Sequence, residues 1–374
     1  MGPPEPLPCL HVLRPAASLV ALLAIAPAAA AQTTDPRGVD PAQPNPLFGT
    51  AWQVPQGDHP AWRQYLRYVR QGKHHRAALA WRIAREPKFA WFGRFSRPNM
   101  PLKVRRYIDS AAPGTIPLLT VMRHQGNDCG PHYRAGGEAQ DRRTMRWYDV
   151  FAHTVGSSRV VIAFEPDSLG TVECLAGDRR RDRLDVLRHG VDVLSQLPNA
   201  TIYLEGGASD WEGARRTARQ LNYIGIHKVR GFMLNVTHYD WTAANIRHGL
   251  DISSRVGGKP FMINTATNGR GPVHYRNARR RIVNVWCHPL MRGLGIPPTT
   301  ATHHPKVDAY MWVNRPGYSG GSCNGGPLPV GSWWPLRALS LARYQTGWIR
   351  PPGGTRFGLY SRPSLAEVAG DGLR

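Results

Sequence analysis

Val160-Val161-Ile162-Ala163-Phe164-Glu165-Pro166-Asp167-Ser168-Leu169 is the most informative stretch of this chain. Its first half is apolar without alternation, as in a strand buried on both faces. Two carboxylates follow at once. The segment therefore predicts a buried strand with acidic groups at its C-terminal end.

Six further runs share this character: Phe89–Phe92, Ile116–Met122, Ala200–Leu204, Gly231–Val236, Pro260–Asn264 and Ala309–Val313. Amphipathic patterns separate them. In 183–197, Leu184, Leu187, Val191 and Leu194 recur three or four apart, which predicts a helix with one apolar face. Strands alternating with helices imply an α/β protein with a parallel sheet and helices outside it. Seven strands in one domain fit a barrel or an open doubly wound sheet. No G-x-G-x-x-G follows a strand, which disfavours dinucleotide binding.

Polar residues gather where these strands end. Glu165 and Asp167 follow the third and Glu205 the fourth. Asn235 closes the fifth, Asn264 and Asn268 lie at or after the sixth, and Asn314 follows the seventh. Barrel enzymes build active sites at the C-terminal ends of their strands, so these groups are expected to converge on one cleft.

At this point the residues resemble a known family. The 160–169 stretch is similar to the second signature of glycoside hydrolase family 6, the endoglucanases and cellobiohydrolases that cut β-1,4-glucan with inversion. Further matches are Ala200-Thr201-Ile202-Tyr203-Leu204-Glu205-Gly206-Gly207, Gly231–Val236, Trp286-Cys287-His288-Pro289, Arg292–Gly295 and Val307–Val313. The resemblance implies a distorted seven-stranded parallel βα barrel, a variant of the TIM type, in a single domain. It implies Asp167 as proton donor, assisted by Asp128. It implies Trp91, Trp211 and Trp286 as stacking surfaces for glucose units, with Asn235, Asn268 and Asn314 as weaker sugar contacts. It suggests disulfides Cys129–Cys174 and Cys287–Cys323. No metal or organic cofactor is implied. A carboxylic acid that must protonate a glycosidic oxygen needs a raised pKa, and a second carboxylate nearby provides one.

Several positions depart from the family pattern. Met122, Gln125 and Asn127 stand where the first signature carries Tyr, Pro and Arg. Glu205 replaces an Asp, Ala208 a His and Arg134 a Ser. The base loop, usually Lys-x-x-x-Glu-x-Asp, reads Asn314-Arg315-Pro316-Gly317-Tyr318-Ser319-Gly320. Gly320 removes the expected base, leaving three options: water relayed to Asp128, Glu205 in catalysis, or a polysaccharide-binding protein that barely hydrolyses. A different, anionic glycan is a further alternative.

Composition sets the surroundings. In residues 1–31, an apolar run over 16–26 precedes Ala29-Ala30-Ala31, which reads as a secretory signal with an A-x-A cleavage site. Residues 32–46 read as a flexible leader, 47–350 as the catalytic barrel and 351–374 as a tail. Cys9 leaves with the signal, so Cys129, Cys174, Cys287 and Cys323 remain, an even set suited to an exported chain. No C-x-x-C supports zinc. The net charge of +23 favours polyanions, but no nucleic-acid motif accompanies it. No run is long enough for a membrane span. The expected partner is a β-glucan polysaccharide, met by a secreted monomer.

Overall fold

The sheet at the centre is all parallel, and its strands lie side by side in chain order. In the computed structural model they are β1 (Ala90–Gly93), β2 (Leu118–Met122), β3 (Val160–Phe164), β4 (Ala200–Glu205), β5 (Gly231–Leu234), β6 (Phe261–Asn264) and β7 (Val307–Met311). The structure describes residues 44–93, 99–124, 137–276, 282–285 and 287–351. All of these fall within one compact unit, Asp35–Arg374. The expected signal segment, most of the leader and nearly all of the tail lie outside the described residues.

The seven strands match the seven apolar runs. Side chains alternate between two apolar layers, as the strand period of two requires. In β3, Val160, Ile162 and Phe164 join the layer shared with the helices, while Val161 and Ala163 join an inner layer. In β4, Ile202 and Leu204 face the helices and Tyr203 faces inward. Both faces are thus buried, so neither could carry a polar stripe.

Curling brings the two edge strands near one another. Phe89 N–H donates to Trp312 O at 3.2 Å, and Trp91 Nε1 donates to Val313 O at 2.8 Å. The result is the expected seven-stranded βα barrel, open on the β1–β7 side, where no strand ladder joins the edges among the described residues.

Helices α3 (Met100–Asp109), α4 (Glu138–Val155), α5 (Arg179–Leu194), α6 (Ala214–Ile224) and α7 (Thr242–Arg255) pack in succession around the sheet. The predicted helix over 183–197 corresponds to α5. Leu187, Val191 and Leu194 are buried there, and Leu184 packs at the margin. Helices α1 (Pro60–Arg70), α2 (His74–Ala84) and α8 (Pro335–Arg343) form a separate cluster that also buries Trp312. Inside the barrel, Asp308 accepts Arg230 at 2.9 Å and the Tyr203 hydroxyl at 2.6 Å. Asp308 is therefore the inward-facing structural residue its place in β7 suggests.

Candidate active site

Glu165 and Asp167 leave β3 by different routes. Strand alternation would point Glu165 inward with Val161 and Ala163. Its φ of 55° ends the extended run instead. The carboxylate accepts the backbone N–H of Arg123 at 2.7 Å and of His124 at 3.1 Å, and the Tyr148 hydroxyl at 2.7 Å. It also meets His124 Nδ1. Burial alone would raise its pKa, but His124 and these hydrogen bonds outweigh burial and hold it below the usual range. Glu165 is thus a fixed charge that ties β2, β3 and α4 together. It has no proton to give.

Asp167 is half-buried, with a φ of 71°. Its carbonyl accepts Thr171 N–H at 3.0 Å and the Thr171 hydroxyl at 2.8 Å, which fixes the turn. Its Oδ1 accepts the Thr237 hydroxyl at 2.5 Å. Left-handed backbone at a non-glycine residue costs on the order of 1–3 kcal/mol and clusters at functional sites. Here it recurs at Glu165, Asp167 and Asn235, all at strand ends.

Glu205 closes β4 on the inward side, in register with Tyr203. It is 3% exposed. Oε1 accepts Gly207 N–H at 2.8 Å, while Oε2 is buried without a close hydrogen-bond partner among the described residues. Burial first, then the nearby Asp167 charge, push its pKa well above the carboxylate range. Both causes favour the protonated form of Glu205. A like-charged pair in which one member is sealed and the other half-open results.

One aromatic ring packs on the turn that follows Asp167. Trp211 is half-buried and stacks on His238, with centroids 4.8 Å apart and planes at 14°. His238 Nδ1 is in turn 2.8 Å from Asp210 Oδ1. A Cβ at Gly170 would lie 2.4 Å from the Trp211 ring, so only glycine lets the indole approach this turn. Trp91, on β1, is half-buried and anchored through Nε1 to Val313 O. Asp128 and Trp286 lie outside the described residues.

The asparagines brace the rim. Asn235 is fully buried and donates to Asp240 O at 3.1 Å and Asn264 O at 3.2 Å. Asn268 donates to Asp240 O at 3.0 Å and Thr242 Oγ1 at 3.1 Å. Asn314 Oδ1 accepts Arg315 N–H at 2.7 Å, and Asn314 N–H donates to Asn264 Oδ1 at 3.0 Å. The donors of Asn235 and Asn268 are thus engaged within the protein, and these residues position loops.

The loop after β7 carries no acid at 320. Gly320 N–H donates to His288 Nε2 at 2.8 Å. Burial, then the Arg337 charge, lower the His288 pKa to about 4, so the ring is neutral and can accept. Gly317-Tyr318-Ser319-Gly320-Gly321 has the spelling of a nucleophile elbow. It lies between β7 and a distant α8, however, and Ser319 is buried with its hydroxyl bonded to Gly321. Cys287, His288 and Cys323 lie within 4.8 Å of one another. Cys287 and Cys323 are joined as a disulfide, as expected, so their sulfurs are not free to bind a metal. Cys174 is also disulfide-bonded, and its expected partner Cys129 lies outside the described residues.

Thr237, Tyr148, His124, His238 and His288 are site residues that the sequence did not single out. The signal for Thr237 was present, in Asn235-Val236-Thr237 at the end of a strand. It also has the form of a glycosylation sequon.

Residues 50–344 match the family model described as Glycosyl hydrolases family 6. The chain is 34% identical over 268 residues to Endoglucanase A of Cellulomonas fimi, covering 71% of this chain and 56% of that protein. It is 30% identical over 276 residues to Endoglucanase 1 of Streptomyces sp. (strain KSM-9), covering 72% and 73%. The chain thus spans little more than half the length of the first relative. Among solved structures, it is similar to the endoglucanase Cel6 from Mycobacterium tuberculosis in complex with methyl-cellobiosyl-4-deoxy-4-thio-beta-D-cellobioside. That match has a TM-score of 0.71 at 34% identity and covers 80% of this chain and 99% of that one. Endoglucanase CEL6B from Humicola insolens shares the fold, with a TM-score of 0.68 at 20% identity over 81% of this chain and 99% of that one.

Proposed function

This chain belongs to the glycosyl hydrolases of family 6, and on that premise we propose that it cleaves β-1,4-glucan with inversion, Asp167 acting as general acid. The observation that carries the proposal is half-buried Asp167, held by Thr237 beside a sealed carboxyl, Glu205, whose pKa burial and the Asp167 charge raise. Glu205 is sealed from solvent, so of the two only Asp167 can meet a glycosidic oxygen. Two like-charged carboxyls in one low-dielectric site resist losing both protons, and the proton the pair shares must pass to Asp167, leaving Glu205 charged, before the leaving group can take it.

Inversion requires water on the far face of the sugar, with a carboxylate roughly 6.5–9.5 Å from the acid to accept its proton. Gly320 supplies none. Glu205 is sealed from solvent and its surroundings favour the protonated form, so it is unsuited to the task. We assign that role to Asp128, reached through a relay of water. Trp91, Trp211 and Trp286 hold the glucan by stacking. The chain acts outside the cell as a monomer, after loss of residues 1–31, with residues 47–350 as the catalytic unit. Among the described residues no helix is long and apolar enough to cross a membrane.

Gly320 also favours a second reading, a secreted polysaccharide-binding protein without turnover. Proton NMR of cello-oligosaccharide digests separates the two. Fresh product with the α-anomer first supports inversion. Fresh β-anomer excludes inversion, and no product above a boiled control after long incubation excludes hydrolysis.

A further inference from the structure

Arg315, on the loop after β7, carries a guanidinium with no carboxylate partner among the described residues. Its Cζ lies 4.3 Å from the centre of the Tyr318 ring and 5.3 Å from that of Trp91. Arg230, Arg292 and Arg337 are held by oxygen acceptors. Arg230 grips Asp308 with two bonds of 2.9 Å. Arg292 donates to the carbonyls of Arg270 and Gly271 at 2.7 and 2.9 Å, and Arg337 to Pro289 O at 2.7 Å. Arg315 has ring faces instead. Rings hold a planar guanidinium from above or below and leave its in-plane N–H donors free for a ligand.

The surroundings are positive. Burial, then Lys88, then Arg315 lower the pKa of neighbouring His59 to about 3, so it is neutral. Lys88 is itself buried and donates to Ile83 O at 2.7 Å and Glu86 O at 2.5 Å, backbone groups without net charge. The Glu86 carboxylate nearby is paired with Arg85 at 2.9 Å. Burial lowers the Lys88 pKa to about 7, so Arg315 is the stronger cation of this corner, and no carboxylate among the described residues pairs with its guanidinium. The site lies where β1 meets the loop after β7, against Trp91, an expected sugar-stacking ring. A net charge of +23 adds a long-range attraction for polyanions.

We propose that Arg315 binds a carboxylate carried by the glycan, in a subsite walled by Trp91 and Tyr318, and so makes the chain selective for carboxylate-bearing β-1,4-linked polymer over neutral polymer. The planar fork of guanidinium matches a carboxylate with two parallel hydrogen bonds. The proposal rests on the reading of this chain as a β-1,4-glucan hydrolase.

The test compares carboxymethyl-cellulose with neutral hydroxyethyl-cellulose, using the full chain. Initial rates are measured for wild type, Arg315→Gln, Arg315→Lys and the exposed control Arg142→Gln. Affinity for each polymer is measured in an Asp167→Asn background, at low and high salt. The ratio of kcat/KM on anionic to neutral polymer is expected to fall about tenfold in Arg315→Gln, mainly through KM, as for a lost charged hydrogen bond. Arg315→Lys, which keeps the charge but not the fork, is expected in between, and Arg142→Gln near wild type. An equal loss on both polymers in Arg315→Gln, with its ratio within about twofold of wild type, overturns the proposal. Failure of the hydrolase reading shows separately, as no product from either polymer, and the affinity ratio then decides the role of Arg315. Should Arg315→Gln not fold by its melting curve, Arg315→Lys carries the decision: an unchanged affinity ratio and salt slope refute the fork.

Discussion

Thr237 Oγ1 lies 2.5 Å from Asp167 Oδ1 and joins the ends of β5 and β3 across the intervening β4. This bond orients the carboxyl on which the proposed chemistry depends. A rotamer change at Asp167 would carry its oxygen away from the bond to be cleaved.

Thr237→Val removes the hydroxyl while keeping side-chain shape. It is expected to lower kcat about tenfold, the effect of roughly 1.4 kcal/mol in the barrier. Thr237→Ser restores the donor and is expected to recover most of the rate. Steady-state kinetics on cello-oligosaccharides measures both, and equal rates in all three proteins would remove Thr237 from the mechanism.

Glu205→Gln tests the buried proton. The pKa of Glu205 is raised in the folded chain, so the folded state holds a proton that the unfolded chain releases above about pH 4.3. Its contribution to stability is therefore greatest below that pH and declines as pH rises toward the folded pKa. Glutamine mimics the protonated form without that decline. The melting temperature of Glu205→Gln minus that of wild type should grow with pH from about pH 4.3 upward, reaching on the order of 2 °C at neutrality. A difference that stays flat with pH contradicts a protonated Glu205.

His288 gives the opposite slope. Its pKa falls to about 4 in the folded chain, below the ordinary value of 6.5. The unfolded chain gains a proton first, so the contribution of His288 is present above pH 6.5 and is lost as pH falls from 6.5 to 4. His288→Gln, which keeps an acceptor for Gly320 N–H, should flatten the acid limb of stability in urea. An unchanged acid limb would show that the ring is not held neutral by its surroundings.

Gly320→Asp adds the carboxylate that the family pattern carries at this position. Among the described residues, a Cβ there would meet His288 alone, at 3.5 Å, which is ordinary contact. Folding is expected to survive, and turnover to rise at least about tenfold if water activation is limiting. The rate of reducing-sugar release checks it. No gain in a folded variant would show that water activation does not limit the rate.

The fold was legible because parallel strands buried on both faces leave continuous apolar runs, and all seven appear as such in 89–313. The acids were legible because they follow those runs directly. Individual roles were less so. Glu165 and Asp167 look equivalent in the chain, and only the left-handed turn at Glu165, with Tyr148 and His124 waiting behind it, separates anchor from acid. Tyr148 sits on α4 and His124 follows β2, so no local pattern links them to Glu165. Asn235 and Asn268 have the polar character of sugar contacts, but their amides are spent on backbone carbonyls of neighbouring loops. Such long-range pairing is written in tertiary geometry and not in spacing along the chain.

The most direct measurement is reducing-sugar release from β-1,4-glucan by Asp167→Asn beside wild type, with glucan affinity measured on the same preparations. Loss of general-acid catalysis predicts turnover lower by roughly 10²-fold or more, with affinity within a few-fold of wild type. Undiminished release by the variant would contradict the assignment of Asp167 as the acid.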